Sequence, residues 1–234
     1  MRKTASTRTG LPQPLRTIAA HNAWRDILPG DYDAHMSHPD VAQTQMLGRI
    51  FREQFALGPH ARAAILGITN GNGLEHVIPC DIDEVVGIDI NGAFLEECRA
   101  RYPEAAQRLK LFQLDLTADT AEAIEAIAGC DLIIANLLIK HIRLESFMRL
   151  MAGLPGRGQT VSCVIQVNPD GTEVSHSGYE HVFEAISLER EEENEELIAA
   201  SMEETGFAPT YRAVYDLPNG KQFVRLDFKK GVYS

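Results

Sequence analysis

Ala63-Ala-Ile-Leu-Gly-Ile-Thr-Asn-Gly-Asn-Gly-Leu-Glu-His76 is the stretch on which the reading of the chain turns. A short apolar run, Ala63 to Ile68, enters a glycine-rich turn. Gly71 and Gly73 would let the backbone approach a ligand closely. A helix after the turn would offer free N–H groups and the positive end of its dipole. Tight turns also need glycine for steric reasons alone, so the turn takes its meaning from the segments on its C-terminal side.

Four more apolar runs succeed it, at Glu84–Asp89, Leu109–Asp115, Cys130–Asn136 and Thr160–Val167. Helical patterns separate them, at about 91–101, 119–128, 143–152 and 179–204. Continuous apolar strands alternating with helices indicate a parallel sheet covered on both faces. The pattern then changes: Tyr211–Asp216 and Phe223–Phe228 alternate, and Pro218-Asn-Gly joins them. Asn-Gly between alternating runs signals a hairpin, so the sheet is expected to end antiparallel. Upstream, Asp40 is a candidate cap for a helix carrying Val41, Met46, Leu47, Ile50, Phe51 and Phe55, which Gly58-Pro59 ends. The stretch from Trp24 to Met36 reads as irregular. The expected organisation is a flexible tail over 1–20, a helical cap over 21–60 and a Rossmann-like α/β domain over 61–234.

The 234 residues suit one α/β domain with a full core. Net charge is -11; residues 1–25 hold five basic residues and no acidic one, which leaves -16 on the rest. A body so acidic repels phosphate backbones and argues against a nucleic-acid partner. Cys80, Cys98, Cys130 and Cys163 lie far apart with no CxxC spacing, as expected of reduced cysteines in a cytoplasmic protein. No apolar run approaches a membrane span. The basic start has no apolar h-region, and Pro12 and Pro14 would interrupt the amphipathic helix of a transit peptide.

Asp89 ends the second run, 16 residues after Gly73. A carboxylate there can accept both hydroxyls of a ribose; its other reading is a cap for the next helix. Asp115 ends the third run, where it can reach an adenine edge or cap a helix. All three features fall at the carboxyl ends of strands, where doubly wound sheets bind their ligands.

In these features the chain resembles the class I S-adenosylmethionine-dependent methyltransferases over roughly residues 60–234. The resemblance rests on Gly67 to Gly73, Asp89, Asp115, the run Asp131–Ile142 and the closing hairpin over 211–228. Asp31-Tyr-Asp-Ala-His-Met, with Gln43 and Gln45, resembles the cap of small bacterial-type members. It departs at Gly67, where the common motif has an acid, and at Thr69, where it has glycine. Asn70, Tyr32 and His35 are substitutes for the missing acid. The resemblance implies a seven-stranded sheet, S-adenosyl-L-methionine as cofactor and a small-molecule acceptor, with the N or O nucleophile open. It implies cofactor contacts at Gly67, Asn70, Gly71, Gly73, Asp89, Ile90, Asp115, Leu116 and Asn136. His141, just past the fourth strand, is the first catalytic candidate, with Tyr32 and His35 after it. Lys140 and His141 are not expected to point inward together, and the charged Lys140 is assigned to solvent. His176 lies in a plausible pocket loop. The histidines show no metal spacing, and the run at Glu191 reads as a solvated helix face. Two alternatives remain. In a nicotinamide-dependent oxidoreductase GxGxxG would place glycine at His76. A non-catalytic module would keep the fold and the cofactor.

Overall fold

A computed structural model describes residues 21–156, 158–168, 177–187 and 194–231. Seven strands form one sheet: β1 Arg62–Leu66, β2 Glu84–Asp89, β3 Leu109–Gln113, β4 Leu132–Asn136, β5 Thr160–Val167, β6 Phe207–Asp216 and β7 Gln222–Lys230. The order is β3-β2-β1-β4-β5-β7-β6, and only the pairs that β7 makes with β5 and β6 are antiparallel. The helices among the described residues are α1 Pro29–Ser37, α2 Gln43–Phe55, α3 Leu74–Val77, α4 Gly92–Arg101, α5 Thr120–Ile127, α6 Ile139–Ile142, α7 Leu144–Gly153, α8 Glu180–Ser187 and α9 Glu195–Glu204.

Alternate residues of each strand enter two separate cores, because side chains alternate across a pleated sheet. Ala63, Ile65, Val85, Leu132 and Ile134 pack with Phe51, Phe55, Leu74, Phe94 and Phe183 on one face. Ala64, Leu66, Val86, Ile133 and Ala135 pack with Ile127, Phe147, Leu150 and Met202 on the other. The interior strands β1, β2 and β4 are therefore mostly apolar, as both-face burial demands, whereas β3 and β6 at the two edges of the sheet are largely exposed. At the closing hairpin Gly220 takes φ 78 and donates to the Leu217 carbonyl at 3.1 Å. That is the left-handed residue a three-residue hairpin loop requires.

Three sequence expectations change. Residues 24–36 are not irregular throughout: after a 3₁₀ turn at Ala23–Asp26, Pro29 occupies the first turn of α1. Tyr32, His35 and Met36 share its buried face at spacings of three and four. Asp40 caps nothing: α2 starts at Gln43 behind Ala42, which takes φ 49. The single helix expected over 179–204 is two helices among the described residues, because Asn194 starts a new one by accepting from the Leu197 N–H. Residues 1–20, His176 and the glutamate run from 191 to 193 lie outside the described residues.

Candidate functional site

β1 and β4 lie side by side but continue to opposite edges of the sheet, so a crevice opens at their carboxyl ends. The chain leaves both strands by strained turns. Gly67 and Thr69 take φ 70 and 49 after β1, and Leu137 takes φ 56 directly after β4. Left-handed backbone at non-glycine residues is costly and clusters where a site dictates the path. Thr69 keeps the conformation expected of a glycine while carrying a side chain.

Asp89 is held at the floor of the crevice. Its Oδ2 accepts the Thr69 N–H at 2.9 Å and its Oδ1 accepts the Asn91 N–H at 2.9 Å. It is 7% exposed. Burial pushes its carboxyl up to about 6, against the opposing pull of the backbone N–H groups. Two lone-pair directions remain for a ligand. The capping role falls to Asn91, whose Oδ1 accepts the N–H groups of Ala93 and Phe94. Its Nδ2 donates to the carbonyls of Trp24 and Ile27 at 2.9 and 2.8 Å. One side chain thus starts α4 and fastens the 3₁₀ segment across the crevice. From there Trp24 meets the His141 ring edge-on at 4.8 Å.

Asp115 lies two residues beyond the end of β3 rather than in it. Its Oδ1 accepts from the Thr117 N–H and hydroxyl, and its Oδ2 stands 3.6 Å from the Arg25 guanidinium. The crevice holds about 140 Å³ open to the centre of a water molecule, roughly ten times the space that one bound water needs.

Of the residues singled out from sequence, Gly67, Asp89, Ile90, Asp115, Leu116, Asn136, Tyr32, His35 and His141 border this crevice. Asn70, Gly71 and Gly73 do not. Asn70 is fully buried behind the turn, with its Nδ2 3.5 Å from the Pro29 carbonyl and its Oδ1 without a partner. A Cβ on Gly71 would stand 2.6 Å from Tyr102 Cε2, and one on Gly73 would overlap the Phe51 ring. Both glycines take positive φ and stand where packing leaves no room for a Cβ. The helix after the turn, α3, has only four residues. In place of the acid usual at position 67, Leu138 faces the turn; a Cβ there would start 3.1 Å from its Cδ1.

Lys140 and His141 both border the crevice. They occupy α6, a single turn whose Ile139 and Ile142 face the core, so both intervening residues lie on its open side. His35 is buried, bonded through Nδ1 to Ser177 Oγ at 2.6 Å and 4.5 Å from the Phe183 ring. The Tyr32 hydroxyl accepts from Asn72 Nδ2 at 3.2 Å, and burial raises its ionisation well above the usual tyrosine range. Its phenol is therefore held in the protonated form.

Gln54, Asn72, Asn91 and Gln166 were not legible as site residues, and Gln43 was read only as part of the cap. Gln43 donates to Gln166 at 2.9 Å, and Gln54 bonds Asn136 in both directions. Helical spacing marks them as polar positions of α2, and nothing local shows that they are buried against distant strands. No helix among the described residues is long and apolar enough to cross a membrane, and no cluster among them suits a metal ion.

No family model matches the chain, and no curated protein matches it. Solved structures do. One is the Burkholderia thailandensis 1,6-didemethyltoxoflavin-N1-methyltransferase, solved with 1,6-didemethyltoxoflavin and S-adenosylhomocysteine. It is 15% identical, with TM-score 0.60, over 97% of this chain and 95% of its own. An O-methyltransferase family protein of the same species is 15% identical, with TM-score 0.59 over 82% of this chain. This chain spans only 57% of that protein's length. The cyclase SpnF is 12% identical, with TM-score 0.59 over 82% of this chain and 83% of its own. These likenesses show the class I methyltransferase fold.

Proposed function

We propose that the chain transfers a methyl group from S-adenosylmethionine to a small molecule. The observation that carries this is Asp89. It is a buried carboxylate at the end of β2, fixed by two backbone N–H groups with two lone-pair directions left, at the switch point of a sheet in which β7 runs antiparallel. Such a group suits the two hydroxyls of a ribose. Ile90, Asp115 and Leu116 extend the same wall toward an adenine, and Gly67 and Asn136 border the methionine end. The bound S-adenosylhomocysteine in the toxoflavin methyltransferase supports the choice of cofactor. His76 in place of the last GxGxxG glycine speaks against a nicotinamide.

The donor is an activated sulfonium, so the protein's part is to align the acceptor with the S–CH₃ bond and exclude water. Orientation of that kind supplies roughly 7–11 kcal/mol. The helices before β1 close the acceptor side, with His141 under Trp24 and His35 against Phe183. His141 is the proposed base where the nucleophile must lose a proton; His35 and Tyr32 orient the acceptor. Isothermal calorimetry with S-adenosylhomocysteine and with NAD tests the reading. Binding of the first and not the second is expected; NAD alone binding overturns it. SpnF shares the fold under the name of a cyclase, so methyl transfer itself is measured as isotope passing from labelled donor to a metabolite pool.

A further inference from the structure

A chain of buried polar groups runs from the far hairpin to the crevice, and it has a direction. Arg225 and Asp227 on β7 form a fully buried ion pair, with Nη2 to Oδ2 at 2.6 Å and Nε to Oδ1 at 2.9 Å. An ionised carboxylate only accepts, so the Ser162 hydroxyl on β5 must donate to Asp227 Oδ1. The Ser162 oxygen is left as an acceptor and accepts a hydrogen bond from Gln54 Nε2 at 2.8 Å. That sets which end of the Gln54 amide is nitrogen. The same Nε2 donates to Asn136 Oδ1 at 2.8 Å, and Asn136 Nδ2 donates back to Gln54 Oε1 at 2.9 Å. Gln54 is 0% exposed, and both of its N–H groups are used.

An isolated asparagine amide can turn over and exchange donor for acceptor. Asn136 cannot do so without breaking both bonds to Gln54, and Gln54 cannot turn without facing its oxygen toward Ser162. Asn136 borders the crevice at the end of β4 and keeps one N–H with no partner among the described residues. We infer that Gln54 is a positioning residue that fixes the amide polarity of Asn136, so that the crevice is offered an N–H donor there. Such a donor reads a lone pair, on a carbonyl, a hydroxyl or a ring nitrogen. The inference rests on the crevice being the methyl-transfer site.

The test is the ¹H–¹⁵N spectrum of side-chain amides, with the Asn136 pair assigned by its loss in Asn136→Asp. In the wild type one set of Asn136 signals is expected, with one proton moved downfield by its bond to Gln54. Ser162→Ala removes the acceptor that sets the direction, and the Asn136 signals should split into two exchanging sets. Gln54→Met should return them to the position of an unbonded amide. Far-ultraviolet circular dichroism and a cooperative thermal melt show an intact fold in each variant, and calorimetry with S-adenosylhomocysteine is run on the wild type. A single unchanged Asn136 set in either folded variant overturns the inference. Wild-type protein that fails to bind S-adenosylhomocysteine overturns the functional reading instead, and the amide spectra still decide the positioning role.

Discussion

At the scale of a residue, Asp89 is where burial and ligand chemistry compete. Its carboxyl sits near 6, above the ordinary 3.8, because burial penalises the charge. A group raised in the folded state holds its proton more tightly there than in the unfolded chain. Its contribution to stability is therefore full below about 4 and is lost as pH rises through about 6. Ribose hydroxyls donate to the ionised form, so ligand affinity should move the opposite way. S-adenosylhomocysteine should bind more tightly at pH 7 than at pH 5, with proton release visible as a buffer-dependent calorimetric enthalpy. Asp89→Asn should weaken binding roughly 10- to 100-fold, as loss of a charged hydrogen bond implies, and should flatten the pH profile. An Asp89→Asn protein with wild-type affinity would remove this residue from the site.

At the scale of an element, the 3₁₀ segment Ala23–Asp26 is held by Asn91 more than by its own turn. It buries no residue of its own. Asn91→Ala removes the cap of α4, worth about 1 kcal/mol, together with both bonds to Trp24 and Ile27. Trp24 is the only tryptophan in the chain and its Nε1 has no partner, so its fluorescence reports the segment directly. In Asn91→Ala the emission should shift to the red and become more accessible to iodide, while the melting temperature falls by several degrees. Unchanged emission would mean that the edge contact with His141 holds the segment by itself.

At the scale of the whole molecule, the Arg225–Asp227 pair ties distant parts together. Through Ser162 and Gln54 it reaches β5, α2 and β4, and through Glu53 it reaches Tyr215 on β6. α2 is therefore bolted to the sheet. Breaking a buried pair on one side strands the other charge and costs about 3–5 kcal/mol. Asp227→Ala should lower denaturant stability by that order. Arg225→Met combined with Asp227→Leu should cost less than Asp227→Ala alone, because no fully buried charge is left behind and the partly exposed Glu53 keeps its pair with Arg49. Urea unfolding of the two proteins checks the ranking.

The order of strands and helices was legible because it depends on local repetition. Runs such as Glu84–Asp89 and Thr160–Val167 are buried on both faces and keep their boundaries in the structure. Asn219-Gly220 marks its hairpin by the backbone conformation it permits. The crevice was legible in outline, since Asp89 comes after its glycine turn at a readable distance. Tertiary structure alone decided which glycines line the crevice: Phe51 and Tyr102 come from elsewhere in the chain to fill the space beside Gly73 and Gly71. It also decided that Gln54, which by spacing is one polar position on an amphipathic helix, is fully buried against Asn136, 82 residues away. Hydrophobic pattern records which residues leave water. The partner that a buried amide finds depends on how two elements far apart in sequence come to lie side by side, and no local pattern encodes that.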